Sequence, residues 1–449
     1  MKRCLLFGLI AVVLNFCLGL PAWAFCGFYV AKADASLYNQ ASQVIIARDG
    51  DRTILTMAND YQGDVRDFAL VVPIPVVIEA SQVHPGDPAI IERLDGFSAP
   101  RLVEYFDPDP CTIQPTRPEA LPQRRAGGTR GGALALDDEV LGVTIEAQFS
   151  VGEYDILILS ATQSLGLETW LKRNDYRIPD GARDVLQAYI RQGMKFFVAK
   201  VNLETFEQGQ FQTLRPLQIA YESHRYLLPI RLGMVNAQAP QDLIVYILSP
   251  QGQAELTNYR TVPIPTNVEI PLFVKAEFAD FYGALFTTAH DQENRKVAFL
   301  EYAWDMANCD PCAANPLSQA ELREAGVFWL DNNSTRNNPT RSNSTQNNVF
   351  ITRLHLRYSR DTFPEDLQFQ STGNRQLFQG RYILRHPAPG NWDCPAAQTY
   401  KQQLQERHER EAQTLARLTG WDLTEIYRKM PEMEVIAEPT EPWWQNLWR

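Results

Sequence analysis

The residues best spaced to do chemistry are Cys309 and Cys312, in the run Cys309-Asp310-Pro311-Cys312. Two thiols two residues apart can cycle between dithiol and disulfide, and a thiol at a helix start has its thiolate stabilised by the positive end of the helix. A strand candidate at 298–304 precedes the pair, and a helix candidate at 317–326 follows it. The repeated β-α-β pattern of a thioredoxin-like domain is missing around them. The same spacing also suits a structural bridge, either a tight local disulfide or a bond from one of the two to Cys394. A closed zinc site needs a second ligand pair, which a single C-x-x-C with a distant cysteine lacks, so neither metal nor cofactor is expected. Cys26 and Cys111 bracket the first strand-rich region, and a structural disulfide between them would close a long loop.

The other reactive residue types assemble no complete motif. Histidines are few: His84, His224, His290, His355, His386 and His408. His408-Glu409 begins like the helix of a zinc protease, but position 412 is alanine, so the motif fails and His408 is expected among packing residues. Arg353, His355 and Arg357 alternate with Leu354, Leu356 and Tyr358. That pattern predicts a half-buried strand whose basic outer face is either solvated or free to bind an anion. Asp34, Asp60, Asp64 and Asp67 cluster, but their spacing does not fit an EF-hand loop, so they read as turn and loop acids. No Gly-x-Ser-x-Gly elbow occurs, and the glycines of 127–132 lack the Gly-Lys-Ser/Thr ending of a phosphate loop.

The elements that must position these residues are mostly strands. QVIIAR at 43–48 and TILTMA at 53–58 flank Asp49-Gly50-Asp51-Arg52, which predicts a β-hairpin. Residues 68–74 are apolar and β-branched, and Pro73 and Pro75 place the end of that strand at a sheet edge. Further strands are expected at 143–149, 154–159, 194–201, 217–221, 243–248 and 298–304. Ser164 can cap a helix carrying Leu167, Trp170 and Leu171, and Asp180 can start a second with Val185, Tyr189 and Ile190 on one face. Near the end, Tyr400, Leu404, His408, Ala412, Leu415 and Leu418 recur at helical steps, with Gly420 at the stop.

Met1-Lys2-Arg3, an apolar run from 4 to 20 and Pro21-Ala22-Trp23-Ala24 together predict a signal peptide cleaved after Ala24, hence export to the periplasm or the exterior. Of the seven cysteines, Cys4 and Cys17 fall in that leader, so an odd number remains. No later stretch is apolar enough to span a bilayer. The net charge of −11 argues against nucleic acid or an anionic membrane as the main partner. Hydrophobic content of 45% is enough for a real core, and the length suits two or three domains. The composition divides the chain into a signal peptide (1–24), a β-rich N-terminal region (25–120) and a Gly/Arg-rich linker or loop (121–139). An α+β region (140–330), an Asn/Ser/Thr-rich loop (331–348), a β segment (349–395) and a helical C-terminal segment with a Trp-rich tail (396–449) follow.

Several of these residues carry a resemblance. The opening Cys26-Gly27-Phe28-Tyr29-Val30-Ala31-Lys32-Ala33-Asp34, the hairpin end Thr56-Met57-Ala58-Asn59-Asp60-Tyr61 and the run from Phe68 to Pro75 are similar to an exported bacterial family, domain of unknown function 2330. Trp170-Leu171, Asn174-Asp175-Tyr176, Pro179, the Cys309–Cys312 block and 415–430 fit it too. The resemblance implies export and carries no activity, substrate or catalytic residue. Some members of that family end in a membrane anchor; this chain shows no such segment, which implies a soluble form.

The fold class expected is α+β and strand-dominated, with a β-sandwich-like N-terminal region, an α+β middle and a helical C-terminal segment. With no assembled catalytic constellation, the leading reading is a non-enzymatic binding or envelope-structural protein with an envelope partner. The alternative is a thiol–disulfide protein that uses Cys309 and Cys312.

Overall fold

The computed structural model describes residues 28–29, 38–39, 42–58, 61–62, 69–111, 143–174, 181–208, 214–235, 237, 239–308, 310, 315–330, 348–390, 392 and 394–431. Cys26, Cys309, Cys312, the leader, the 121–139 linker, the polar loop up to residue 347, the four clustered aspartates and the Trp-rich tail lie outside these residues.

Fourteen strands position the features discussed below. They are β1 (Ser42–Asp49), β2 (Arg52–Met57), β3 (Ala69–Ile74), β4 (Val83–Pro85), β5 (Arg101–Phe106), β6 (Val143–Val151) and β7 (Tyr154–Ala161). Next come β8 (Lys195–Val201), β9 (Leu217–Glu222), β10 (Gln241–Ser249), β11 (Val268–Glu269), β12 (Val297–Asp305), β13 (Phe350–Tyr358) and β14 (Arg381–His386). The helices used here are α1 (Pro88–Ser98), α2 (Ser164–Arg173), α3 (Ala182–Arg191), α4 (Phe278–Gln292), α5 (Gln319–Glu324), α6 (Pro395–Thr419) and α7 (Leu423–Lys429). The protein is α+β and strand-dominated. Its chain divides into two units, each assembled from separated segments: 1–97, 128–261 and 296–377 form the first, and 98–127, 262–295 and 378–449 the second.

In the first unit, β1 and β2 form the expected hairpin, in register from Val44 opposite Met57 to Asp49 opposite Arg52. Gly50 in the two-residue loop has φ +59°, a left-handed conformation open to glycine. The hairpin sits inside a large sheet ordered β12-β13-β10-β1-β2-β9-β4. Here β10 runs parallel to β1 and antiparallel to β13. Such interior strands are covered on both faces, which explains the unbroken apolar run Leu243 to Leu248. One face of the sheet packs Ile45, Tyr246, Leu248 and Ile351 against Ile90, Ile91, Leu94 and Phe97 of α1 and against Leu317, Leu322 and Trp329.

A second sheet of this unit is ordered β3-β8-β7-β6, with the short strand Phe28–Tyr29 beyond β3. Among the described residues that short strand pairs with Leu70 and Val71 alone, and Pro73 pairs on the other side only, opposite Phe196. A proline fits there because no described neighbour needs its missing N–H. Helices α2 and α3 bury Leu167, Leu171, Ala182, Leu186 and Tyr189 against Phe196 and Val198 of β8. Ser164 is the first residue of α2, not its cap, and its backbone N–H donates to Gln187 Oε1 from α3 at 3.1 Å.

The second unit holds a three-stranded parallel sheet ordered β11-β14-β5. β14 and β5 pair from Arg381 opposite Arg101 to His386 opposite Phe106. Because the two strands are parallel, both chains leave the sheet at the same end, and a few residues later Cys111 and Cys394 meet as a disulfide with Cα atoms 5.7 Å apart. This corrects the expected Cys26–Cys111 bridge and removes Cys394 as a partner for Cys309 or Cys312. The cause is a pairing between strands far apart in sequence, which spacing along the chain does not reveal. Helix α6 begins with Pro395 at its first position and ends at Gly420, φ +72°. Its buried stripe is Ala397, Leu404, Arg407, Glu411, Ala412, Leu415 and Thr419, so Arg407 and Glu411 stand where the sequence suggested His408.

Candidate functional site

A dense polar cluster of the first unit lies on β13. Alternation puts Arg353, His355 and Arg357 on one face of that strand. Their direct partners on β10 are Tyr246, Ile244 and Asp242. On the other side, β12 places Phe299 opposite His355 and Tyr302 opposite Arg353, with a register shift between Leu300 and Tyr302. The shift leaves Glu301 as an extra residue. A bulge of this kind re-aims a side chain, and here two consecutive residues, Glu301 and Tyr302, both serve the face of Arg353.

Charges on that face meet in a ladder. Arg353 Nε donates to Glu301 Oε2 at 2.6 Å, and its Nη1 donates to Asp95 Oδ1 of α1 at 2.7 Å. The Tyr246 hydroxyl donates to the same Asp95 oxygen at 2.8 Å. His355 Nδ1 lies 2.7 Å from Glu301 Oε1, and an ionised carboxylate can only accept, so that nitrogen carries the hydrogen. The other ring nitrogen faces Asp242 at 3.8 Å. Arg357 in turn grips both Asp242 oxygens, at 2.7 and 2.8 Å. Glu301 is fully buried, and Arg353 nearly so. Burial pulls the Arg353 guanidinium down, but Tyr246, Glu301 and Asp95 outweigh it and hold the group above its ordinary value. Burial likewise pushes the Tyr246 phenol up, against the pull of Arg353.

The basic outer face expected of β13 is therefore neither solvated nor open to an anion. Its two arginines are paired with Glu301, Asp95 and Asp242, because the face is covered by α1 and flanked by strands that carry acids. A carboxylate–histidine pair can orient a general base, yet both acids that touch His355 are also held by an arginine. The geometry pairs both arginines with carboxylates and ties β10, β12, β13 and α1 together. Sequence reasoning missed Glu301, Asp242 and Asp95. A usable signal was present: Glu301 is the one charged residue inside the run 297–304, and a charge in a buried strand needs a partner.

Other sequence candidates lie apart from this cluster. Asp310, between the two cysteines, is buried and accepts from the Tyr302 hydroxyl at 2.9 Å. The helix after the pair starts at Gln319, capped by Ser318, six positions beyond Cys312. His224 contacts Asp51, His386 contacts Glu104 and stacks on Phe106, and His290 stacks on Phe286. Among the described residues no group of three or more His, Cys, Asp or Glu is arranged to hold a metal, and no helix is long and apolar enough to cross a membrane.

Fold and site define a strand-dominated α+β protein whose polar cluster on β13 is a ladder of paired charges. The chain belongs to the family DUF2330, described as an uncharacterized protein conserved in bacteria, which matches residues 20–370. No curated protein and no solved structure matches the chain.

Proposed function

We propose that the protein is exported and acts without catalysis, as a β-rich binding or structural component of the bacterial envelope. The carrying observation is the ladder itself: the acids and bases most plausible for chemistry satisfy one another and lock strands together. The basic start, apolar run and Ala22-Trp23-Ala24 ending support export. Expression of the full chain in a bacterial host, fractionation and sequencing of the mature N-terminus test the location. A chain beginning at Phe25 outside the cytoplasm is expected; an unprocessed cytoplasmic chain overturns export. Purified mature protein should turn over nothing in a broad hydrolase and transferase panel. Turnover abolished by His355→Asn, in a variant that stays folded, would overturn the non-enzymatic reading.

A second reading is a thiol–disulfide protein. One observation favours it: Cys394 is bonded to Cys111, so it is not a partner for Cys309 or Cys312. Against it, the helix that follows starts at Gln319 with Ser318 as its cap, so neither cysteine belongs to its first turn. Trapping free thiols before lysis and mapping peptides without reduction separates the readings. A mixture of thiol and disulfide at Cys309 and Cys312 supports exchange, and a fully locked bridge supports a structural role.

A further inference from the structure

Helix α6 carries two ionisable residues on its buried stripe, Arg407 and Glu411, and they are not fully satisfied. Arg407 Nη1 donates to Asp107 Oδ2 at 2.8 Å, and the Tyr400 hydroxyl donates to the same oxygen at 2.7 Å. Arg407 Nε stands 3.6 Å from Glu411 Oε1, too far for a hydrogen bond. Arg407 Nε, Arg407 Nη2 and Glu411 Oε1 are all buried without a hydrogen-bond partner among the described residues. Glu411 is 4% exposed. The strands contribute Arg385, which binds Glu269 at 2.8 Å and lies 3.8 Å from Asp107.

The charge count of this cluster is uneven. Asp107, Glu269 and Glu411 are three acids, and Arg385 and Arg407 are two permanent bases. With Glu411 ionised the cluster holds one uncompensated negative charge, and at its buried end, around Asp107, Arg407 and Glu411, water does little to screen it. With Glu411 protonated it is neutral, and the carboxyl gains a hydrogen to donate. We propose that Glu411 is a proton-controlled latch: its protonated form holds α6 against the sheet of the second unit, and its ionisation loosens the helix.

The electrostatics run the same way. Burial first, then Glu269 and Asp107, raise the Glu411 carboxyl from the ordinary 4.5 to about 7, against the pull of Arg407 and Arg385. Undocking returns it to the ordinary value, so the docked state binds the proton more tightly. The latch is therefore fully closed below about pH 4.5 and released as pH rises through about 7. The neighbouring elements bring other ionisable groups. Helix α4 buries His290 and carries Asp280 and Asp291, the latter paired with Arg295. Helix α7 carries Glu425, paired with Arg428, and Lys429, paired with Glu277. Beside Glu411 on α6 itself, His408 is half-buried and held below its ordinary value by burial and by Arg407. On β5, Glu104 is balanced by Lys275 and His386.

The test is hydrogen exchange of full-length mature protein, read on peptides within 395–419 and corrected for intrinsic rates. Wild type should open on the order of 30-fold more often at pH 8 than at pH 5.5, the ratio that a carboxyl moving between 4.5 and about 7 produces. Glu411→Gln, neutral at both, should keep α6 protected and flat, and His408→Gln should leave the slope intact. A wild-type helix indifferent to pH, a slope surviving Glu411→Gln, or a slope lost in His408→Gln would each overturn the latch. Should Glu411→Gln fail to fold, a carboxyl carbon NMR titration of wild type decides alone. A midpoint near 7 for Glu411 supports the proposal, and one in the ordinary range of about 4–5 refutes it.

Discussion

Arg353 owes its position to two acids from two elements, Glu301 of β12 and Asp95 of α1, and that makes its energetics asymmetric. Removing one partner strands the rest in a dry place, whereas replacing both can be almost neutral. Glu301→Gln should therefore lower stability by about 3–5 kcal/mol, read from a guanidinium midpoint. The double variant Glu301→Leu with Arg353→Met should recover a large share of that loss, and a simple sum of two losses would show the pair to be uncoupled. Tyr189 offers a milder case. Its hydroxyl donates to Asp366 Oδ1 at 2.6 Å, and that carboxylate also accepts from the backbone of Ile230 and from Arg231. Tyr189→Phe leaves those donors in place and should cost about 1–3 kcal/mol. Part of this was legible: the alternation of Arg353, His355 and Arg357 put them on one face. What covered that face was not, since the acids come from positions 95, 242 and 301 and only the sheet order and the packing of α1 bring them together.

Elements were more legible than sites because their signals are local. The β1–β2 hairpin, the strands at 154–161, 195–201 and 241–249, and the stop of α6 at Gly420 all follow from periodicity and turn residues. Two glycines show where local and tertiary causes part. Gly50 has φ +59° and open space around the position of a Cβ, so Gly50→Ala should cost only about 1 kcal/mol of backbone strain. Gly326 has φ +92°, and a Cβ there would stand 2.7 Å from Ile54 Cγ2 and 3.5 Å from Ala47 Cβ. Gly326→Ala adds overpacking against the large sheet, at about 1–3 kcal/mol, to the strain. The two variants compared in one thermal unfolding series should rank Gly50→Ala well above Gly326→Ala. Equal losses would show that the core absorbs the extra methyl.

The whole molecule is where the sequence reading and the structure differ most. Composition suggested consecutive regions, whereas each of the two units is collected from three separated stretches of chain. The Cys111–Cys394 bridge spans 283 residues and belongs wholly to the second unit. Cys394→Ser should destabilise that unit by about 2–5 kcal/mol, measured by limited proteolysis of the α6 region with and without reductant. Wild type treated with reductant should match the variant, and an undiminished resistance in both would make the bridge dispensable. By itself the sequence determined the strand-dominated α+β class, the family, most element positions and the features that predict export. All of these depend on residue types and spacings over a few tens of positions. Only the tertiary structure decided which cysteine Cys111 meets, which acids neutralise β13, and that Glu411 is buried beside charges that do not balance. Those outcomes depend on contacts between elements 52 or more residues apart, and a chain read in order carries no local mark of which distant element will lie beside it.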